Sequence, residues 1–561
     1  MRKSVRAALT TVVLAAIGIR LSPLLYYVHW GSDIGEYVAI LRGLLETAHV
    51  STDYGGWGFT YPYFPGMWFL PGAMASLAPV APSAALGLLV PVAGALAVLP
   101  IFLLTARITG EAKAGLFAAA LVAVVMPHVY PTSHAAPATV GDLFVFAGLL
   151  LFLRLRGDPK ALLPLVLVGG ALVVTHHLST YFLIVMVVAT LFLRALVRST
   201  PAAGETRDVA AAGILVALTL LYWFAYAAPF RDALLSDVDV DPWWLLPAAL
   251  PVLLAGLAAL VVLRRRSERR YRPRYPGLDR AAGLYAGTVG FLFALIAFAA
   301  AVAIPGTTIA PPASVLYYFA PVYLLVAFSA PGRRFFDFLR DGLAPFAWIL
   351  ALLASILVGI VAAPRLLIPY RHIEFLIVPL AVLAGIGLFR ILDLAGVGQG
   401  RRTTVIAIAI VLLAGNALTA FPPPEILGRW QEGTRAPALD AAHWSRDHVD
   451  GLLVTDHRAS TLAFGFGGVD ATWDTTRTPL LAGTFVEARS GLIGIPSPSG
   501  VRNGSYVWVD GDIERGVQLY PWDPAVPMSP EAIAKFDDAP FVKVFDNAYA
   551  RVYWIDWALA P

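Results

Sequence analysis

The sequence of 561 residues contains no cysteine. This absence excludes disulfide bonds, thiolate metal sites and cysteine nucleophiles. Charged residues are scarce as well, at 14 % of the chain, whereas a soluble globular protein has roughly 25 %. Hydrophobic residues make up 58 % of the sequence, and the mean hydropathy is +0.72. The composition therefore indicates an integral membrane protein.

Apolar segments of about 16–25 residues recur until residue 420, close to the length needed to cross a hydrocarbon core of about 30 Å. The first one is interpreted as a retained span, because no small-residue cleavage pattern follows it. Arg20 lies near its outer end, where a long side chain can snorkel to the headgroups. We predict thirteen spans, at 6–28, 83–106, 114–130, 139–155, 161–176, 179–198, 209–228, 243–263, 281–304, 313–330, 344–363, 373–391 and 403–420.

Basic residues are distributed unevenly between the two sets of alternate loops. If the N terminus is cytoplasmic, the inner loops hold most of them, including the tract RRRSERRYRPRYPGLDR. The outer loops hold only Arg42, Arg231, Arg365 and Arg371. This asymmetry follows the positive-inside rule. We therefore predict a multi-pass protein of the cell membrane with a cytoplasmic N terminus and an extracytoplasmic C-terminal domain.

The composition changes at the sequence FPPPE, Phe421–Glu425, where prolines indicate a boundary. Residues 422–561 hold 11 basic and 18 acidic residues and contain strand-like stretches such as SYVWVDGD and FVKVFDNAYARVYWIDW. The predicted architecture is an α-helical polytopic membrane domain, residues 1–421, followed by a small, mostly β domain, residues 422–561.

The loop between the first two spans, residues 29–82, begins with two carboxylates in the sequence SDIGE. On a helix, Asp33 and Glu36 share a face, with Cβ atoms roughly 5–6 Å apart. Two such carboxylates can hold a divalent metal, Mg or Mn, or one can act as a general base. The alternative is a solvated first turn in which both acids favour the helix dipole.

The same loop continues with the aromatic stretch DYGGWGFTYPYFPGMWF. Its rings either form an interfacial belt or stack on a sugar or an isoprenoid chain. A second polar outer loop, PTSHAAPATVGD, supplies His134 and Asp142. We predict that the acceptor or the transferred sugar contacts Trp57, Tyr61, Tyr63 and His134.

The segment PRLLIPYRHIEF carries Arg365, Arg371 and His372 at the outer end of a predicted span. Cations in such a position are costly and usually have a function. The planar guanidinium of arginine binds phosphate through two parallel hydrogen bonds. These residues are therefore candidates for binding a phosphate, and snorkelling to lipid headgroups is the alternative.

These features resemble the GT-C superfamily of integral-membrane glycosyltransferases, and the layout is similar to that of the oligosaccharyltransferase catalytic subunit. DIGE stands where those enzymes carry their first-loop acidic motif, and RLLIPYRHIEFLIVPLAVLAG looks like their late arginine-containing segment. The stretch FDNAYARVYW looks like the closing strands of archaeal members.

The resemblance implies an inverting transfer of a sugar from a polyprenyl-phosphate (for example dolichyl-phosphate) donor in the bilayer to an extracytoplasmic glycan, lipid or protein. It implies that Asp33 is the general base and that Glu36 orients the acceptor or shares a metal. It also implies that Arg371, with His372 and Arg365, stabilises the departing phosphate. Where oligosaccharyltransferases carry a second acidic motif, this chain has Asp142 alone, which favours transfer of a single sugar.

Three other classes remain open. A non-catalytic membrane receptor or assembly subunit, with the C-terminal domain as its binding module, would need no paired acids at the start of the loop. A transporter or flippase of lipid-linked saccharides would usually contain internal repeats and polar breaks in the middle of the membrane, and the sequence has neither. A polymerase or ligase acting on lipid-linked polysaccharide is the enzymatic alternative. No feature of the sequence indicates a nucleic-acid partner.

Overall fold

The computed structural model describes residues 3–52, 54–197, 204–236, 303, 307–332, 341–361, 367–395, 399–472, 477–497, 499–520 and 522–560. Apart from residue 303, the predicted spans at 243–263 and 281–304 lie outside the described residues, and so does Arg365.

The part of the chain before residue 420 is helical wherever it forms long elements. In chain order the helices are α1 (Lys3–Leu21), α2 (Ile34–Thr47), α3 (Phe69–Leu77), α4 (Pro82–Leu96), α5 (Val98–Thr109), α6 (Ala112–Val124), α7 (Met126–Val129), α8 (Pro137–Leu155), α9 (Leu162–Val173), α10 (His177–Val197), α11 (Glu205–Leu221), α12 (Ala228–Ser236), α13 (Val315–Gly332), α14 (Ala344–Val361), α15 (His372–Ala395) and α16 (Gln399–Leu418).

Local sequence explains several helix boundaries. Proline is the first residue of α4 and α8, where its missing N–H costs nothing and its fixed φ suits a helix. Gly110 ends α5 with a φ of 73°, the left-handed conformation that glycine adopts without steric cost. These signals lie directly in the sequence, so these three boundaries follow from it.

Several described helices are long and apolar enough to cross a membrane. They cover Lys3–Leu25, Pro82–Thr109, Pro137–Leu155, His177–Leu196, Glu205–Tyr226 and Pro369–Asp393, and the pair Ala112–Val124 and Met126–Ser133, bent by 71°, adds a seventh if it counts as one span. A multi-pass helical membrane protein is therefore confirmed. The number of thirteen spans is not, because helices such as Pro159–Val173 and Ala344–Ile360 are shorter and two predicted spans fall outside the described residues.

The core of the helix bundle is continuous and apolar. It contains large buried side chains such as Trp348, Phe146 and Phe182. Helix α15 approaches α6 so closely that a Cβ on Gly385 would lie 2.5 Å from the carbonyl oxygen of Ala114. Glycine is therefore required at this crossing, where two backbones come into contact.

Buried ion pairs tie several helices together at one end of the bundle. Arg107 and Arg194 lie 3.2 and 3.0 Å from the carboxylate of Asp341, and Arg156 lies 2.8 Å from Asp208. Buried charges of this kind are tolerated when each has an opposite partner. The three arginines, which the sequence assigns to cytoplasmic loops, thus lie together on one side of the bundle.

The C-terminal residues form a mixed α/β unit, whereas a mostly β domain was expected. The strands are β1 (His29–Trp30), β2 (Gly433–Thr434), β3 (Leu452–Val454), β4 (Ile495–Ser497), β5 (Gly500–Arg502), β6 (Gly504–Asp510), β7 (Phe541–Asp546) and β8 (Ala550–Ile555), and the helices are α17 (Ala436–His448), α18 (His457–Leu462), α19 (Arg477–Leu481), α20 (Phe485–Ala488), α21 (Gly511–Arg515) and α22 (Pro530–Ala534). One sheet has the order β3-β6-β8-β7, with β3 parallel to β6 and the other neighbours antiparallel. The sequence motifs predicted the strands β6, β7 and β8 correctly. They did not predict the helices between the strands, because a short helix such as α18 has no long helical repeat of apolar residues.

The C-terminal unit and the first loop share one hydrophobic core. Ile34, Leu41 and Trp68 from the loop are buried in the same cluster as Leu462 and Phe466. Strand β1, directly after the first span, pairs antiparallel with β2. The start of the long loop is therefore held against the C-terminal residues.

Candidate active site

Asp33 is the residue directly before α2, and its side chain is 26 % exposed. Its Oδ1 lies 2.8 Å from Nε2 of His457, and the hydroxyl of Ser32 donates to the same oxygen at 3.4 Å. Its Oδ2 accepts a longer hydrogen bond, 3.3 Å, from the hydroxyl of Tyr37. One carboxylate oxygen is thus held firmly and the other is held weakly.

His457 comes from the C-terminal unit, and sequence reasoning did not identify it. It is the first residue of α18, and its side chain is 1 % exposed. The only local signal is the polar run TDHR that follows the apolar strand β3. Nothing in that run indicates that His457 contacts Asp33, which lies 424 residues earlier in the chain.

Asp33 and His457 each stabilise the charged form of the other. Burial raises the pKa of Asp33, but the hydrogen bond and charge of His457, with smaller contributions from Tyr37 and His134, bring it below its ordinary value. Burial lowers the pKa of His457, and the hydrogen bond and charge of Asp33, followed by the charges of Asp456 and Glu36, raise it above its ordinary value. The structure therefore favours an ionised Asp33 beside a protonated imidazole.

Glu36 lies one turn further along α2 and is fully buried. Its carboxylate accepts hydrogen bonds from the hydroxyl of Tyr54 and from the backbone N–H groups of Trp57 and Gly58, the latter two at 3.1 and 3.4 Å. Burial raises its pKa to about 7, although these donors oppose the rise. Glu36 therefore fastens the aromatic loop to α2, and its oxygens are occupied by that loop.

The aromatic residues predicted to bind sugar occupy different surroundings. The ring of Trp57 packs edge-on against His457 at 4.8 Å, and Tyr61 packs against Tyr37 at 5.3 Å, beside Asp33. Tyr63 packs against Tyr226 at 6.0 Å, and its carbonyl accepts from Tyr222, so it belongs to a separate aromatic cluster.

His134 lies in the turn before α8. Its ring packs against Trp30 and Tyr130, and its Nε2 lies 4.0 Å from Glu432. Trp57 and Tyr61 thus contact neighbours of Asp33, and His134 is close enough to affect its charge, whereas Tyr63 lies in a separate cluster. Their contact with an acceptor or a sugar stays a prediction.

Arg371 ends the short 3₁₀ turn Pro369–Arg371 that leads into α15. The preceding residue, Ile368, has a φ of 45°, a left-handed conformation that is strained for a β-branched side chain. Strain of this kind concentrates at functional sites. The Arg371 side chain is half-buried and lies over the ring of Tyr370 at 5.8 Å.

Asp33 and Arg371 shift the pKa values of the same side chains in opposite directions. Burial raises the pKa of Tyr61, Asp33 raises it further, and Arg371 lowers it. Burial also raises the pKa of Tyr37, and again Asp33 and Arg371 act in opposite directions. The pKa of His134 falls mainly through burial, and Arg371 lowers it while Asp33 raises it. The acid and the cation therefore both lie close enough to these side chains to affect their charge.

His372, predicted beside Arg371, is turned away from this cluster. Its ring is fully buried against Phe182, and its Nε2 lies 2.7 Å from the hydroxyl of Ser355. This places His372 in the packing between α10, α14 and α15. Of the residues predicted to bind the phosphate, His372 is therefore occupied by packing contacts, Arg371 remains a candidate, and Arg365 lies outside the described residues.

No family model and no curated protein matches the sequence. Solved structures do match. The oligosaccharyltransferase of Archaeoglobus fulgidus, tethered with an acceptor peptide containing the NVT sequon, is similar over 100 % of this chain and 75 % of its own, with a TM-score of 0.60 at 15 % identity. ArnT of Cupriavidus metallidurans in the apo state is similar over 100 % of both chains, with a TM-score of 0.52 at 15 % identity. ArnT bound to undecaprenyl phosphate has a TM-score of 0.51 at 14 % identity, over 99 % of both chains.

The chain has the GT-C fold. Both similar proteins are GT-C membrane glycosyltransferases, and the match extends over the membrane helices and the C-terminal unit together. The resemblance that the sequence motifs indicated is therefore confirmed at the level of the fold.

Within the GT-C fold of this chain, the predicted metal role of Asp33 and Glu36 can be tested against their contacts. Glu36 already accepts hydrogen bonds from three donors of the loop, and Oδ1 of Asp33 faces His457. Among the described residues, no group of three or more His, Asp or Glu side chains is placed to hold a metal. One structure of the Archaeoglobus fulgidus oligosaccharyltransferase is a complex with Zn and sulfate. In this chain the two carboxylates do not fit a shared Mg or Mn site, and we assign no step to a metal.

A second layer of charges is buried in the bundle beneath the site. Arg20 does not snorkel to the headgroups as expected: it is 1 % exposed, and it contacts Thr132 and His128, both at 2.8 Å. Nε2 of His128 lies 3.7 Å from Asp142, which is also fully buried. The expectation was wrong because α1 packs its polar end against the turn after α7, where hydrogen-bond partners are available.

An aromatic groove of about 230 Å³ lies next to the site. Its lining includes Tyr26, Tyr27, Trp30, Tyr130, Phe421, Trp430 and Glu432. Ser32 connects the groove to the acid, because its hydroxyl accepts from Trp430 at 3.3 Å and its backbone N–H donates to Glu432 at 2.8 Å. Two residues that line the groove therefore contact the residue before Asp33.

Proposed function

We propose that this protein is a membrane glycosyltransferase that moves one sugar from a polyprenyl-phosphate donor to an extracytoplasmic glycan, lipid or protein. The observation that carries the proposal is that Asp33, hydrogen-bonded to Tyr37 at 3.3 Å, and Arg371 both act electrostatically on Tyr37, Tyr61 and His134 within a GT-C fold. A base and a cation near one polar cluster match the two needs of this reaction, which are removal of a proton from the acceptor and stabilisation of a departing phosphate.

Asp33 acts as the general base in this proposal. Its weakly held oxygen, Oδ2, takes the proton from the acceptor hydroxyl as that oxygen attacks the anomeric carbon of the donor sugar. The bond between that carbon and the phosphate oxygen breaks on the opposite face, so the configuration inverts. The leaving group departs as polyprenyl phosphate.

Arg371 receives the negative charge that develops on the phosphate. Its guanidinium lies at the start of α15, half-buried, and stands over the ring of Tyr370. A cation fixed in advance where charge develops stabilises the transition state more than the ground state. The undecaprenyl phosphate bound to ArnT supports a polyprenyl phosphate as the lipid.

The test uses the purified protein in proteoliposomes. A panel of undecaprenyl- and dolichyl-phosphate monosaccharides is supplied with membranes of the source organism as acceptor, and released polyprenyl phosphate is measured. The Asp33→Asn variant should lose about a hundredfold or more of the transfer rate, the usual contribution of a general base. Asparagine keeps an oxygen that can accept from His457, so the variant should fold. Asp158→Asn, an exposed aspartate 44 % accessible in a surface pair with Arg154, is the matched control.

Wild-type transfer by folded Asp33→Asn would contradict the proposed role of this residue. If no sugar lipid of the panel is cleaved, but one crosses the bilayer of the proteoliposome intact, the protein is a flippase instead. The two activities are separated because translocation leaves the sugar–phosphate bond unbroken.

A further inference from the structure

The backbone of His457 is held in place by contacts within the C-terminal unit. The preceding residue, Asp456, caps α18 by accepting from the backbone N–H of Ala459 at 2.9 Å and also accepts from Gln518 at 3.2 Å. The backbone N–H of His457 donates to the carbonyl of Gln518 at 2.8 Å. The start of α18 is thus fixed to the C-terminal unit before the side chain makes any contact.

Two tryptophans fix the imidazole itself. Trp57 from the first loop packs edge-on against it at 4.8 Å, and Trp430 from the linker packs against it at 5.8 Å. The ring is 1 % exposed, and its Nε2 lies 2.8 Å from Oδ1 of Asp33. The position of the carboxylate therefore depends on a residue of the C-terminal unit.

The backbone of the loop motif allows this contact. A Cβ on Gly35 would lie 1.8 Å from the carbonyl oxygen of Thr461, and a Cβ on Gly465 would lie 2.1 Å from the carbonyl oxygen of Gly35. Helix α2 and the segment after His457 therefore touch backbone to backbone. Gly35 within DIGE is required because a side chain there would prevent this approach, which brings α18 to Asp33.

We infer that His457 is a positioning residue for Asp33: it holds Oδ1, leaves Oδ2 as the proton-accepting oxygen, and makes transfer depend on the docked C-terminal unit. This inference rests on the proposed function. The hydroxyl of Tyr37, at 3.3 Å from Oδ2, marks the side on which the acceptor hydroxyl is expected.

The charged neighbours determine what removal of the imidazole would do. His457 and, more weakly, His134 and the hydroxyl of Tyr37 favour the ionised form of Asp33, and burial opposes it. Without His457 the effect of burial dominates, so the pKa of Asp33 rises. The acid limb of the pH–rate profile, where the base becomes protonated, should then move to higher pH.

The experiment compares His457→Gln, His457→Ala and the control His448→Gln, which replaces an exposed histidine of the same unit, in the proteoliposome assay between pH 4.5 and 9. Glutamine keeps an N–H donor but loses the charge. His457→Ala should lower kcat about 10- to 100-fold with little change in the donor KM, and its acid limb should move to higher pH. His457→Gln should recover part of kcat and show a smaller shift of the acid limb than His457→Ala, because it keeps the hydrogen bond and loses only the charge. The double variant Asp33→Asn/His457→Ala should be no slower than Asp33→Asn.

Several outcomes would overturn the inference. Wild-type pH profiles for both His457 variants would show that the contact does not position the base, even if thermal stability falls. A further loss in the double variant would show that His457 acts independently of Asp33. If His457→Ala does not fold, the profile of His457→Gln decides. Full activity of Asp33→Asn would instead refute the proposed function, so the two failures are distinguishable.

Discussion

Arg371 offers a test that separates catalysis from membrane anchoring. An arginine at a membrane surface can bind a substrate phosphate, or it can snorkel to lipid headgroups. Arg371→Lys keeps the positive charge but removes the planar pair of donors, and Arg371→Ala removes both. The two roles predict different rank orders for these variants, because a headgroup contact needs only a charge.

The expected losses follow from hydrogen bonds to a charged group, which contribute about 1.5–3 kcal/mol each. Losing one bond of the fork in Arg371→Lys should slow transfer about 10- to 150-fold, at 1.36 kcal/mol per tenfold. Losing the whole contact in Arg371→Ala should slow it about 10²- to 10⁴-fold. Arg371 is only half-buried, so solvent screening favours the lower half of each range.

The assay measures kcat and the donor KM separately in proteoliposomes. Charge on the phosphate oxygen increases as its bond to the sugar breaks, so the loss should fall mainly on kcat. Arg231 is the matched control, because it is a partly exposed arginine on the same predicted side of the membrane and pairs with Asp232. Both Arg231→Lys and Arg231→Ala should transfer sugar at the wild-type rate.

One result would refute this reasoning. If folded Arg371→Lys turns over like wild type, and Arg371→Ala loses thermal stability but not kcat, Arg371 is an anchor. The phosphate would then be bound by another group, and Arg365, which lies outside the described residues, would be the next arginine to replace.

Two further predictions concern Glu36 and the topology. Glu36→Gln should retain transfer within a few-fold, whereas Glu36→Ala leaves the Tyr54 hydroxyl and two loop N–H groups without their acceptor and should cost about 1–3 kcal/mol in thermal unfolding. Burial raises the pKa of Glu36 to about 7, so between about pH 4.5 and 7 the folded state binds a proton that the unfolded state releases. The contribution of Glu36 to stability should therefore fall as the pH rises through this range, and Glu36→Gln should abolish this dependence. Loss of transfer in folded Glu36→Gln would instead give Glu36 a chemical role. Since the chain has no cysteine, Val501→Cys, 73 % exposed, should react with an impermeant maleimide in intact cells, and Ser4→Cys should react only after permeabilisation. The reverse labelling would place Asp33 on the cytoplasmic side.

Some features of the site follow from the sequence and others do not. Asp33 and Arg371 could be selected because each carries a charge at the end of an apolar run, a signal contained in neighbouring residues. The same reasoning selected Glu36 and His372, whose side chains prove to be occupied by the aromatic loop and by Ser355. A charged residue at a membrane surface indicates a functional role, but the sequence does not indicate which neighbour its side chain contacts.

The sequence alone determined the membrane character, most of the described long helices and the expected GT-C resemblance. These properties depend on apolar run length, charge scarcity and local caps, which are read within a few turns of chain. Tertiary structure alone decided that His457 holds Asp33, that Arg20 is buried against His128, and that the C-terminal unit shares a core with the first loop. Those contacts join residues more than a hundred positions apart. Only the packing of the folded chain, in which each buried polar group must find a partner, selects them from the many pairs that composition permits.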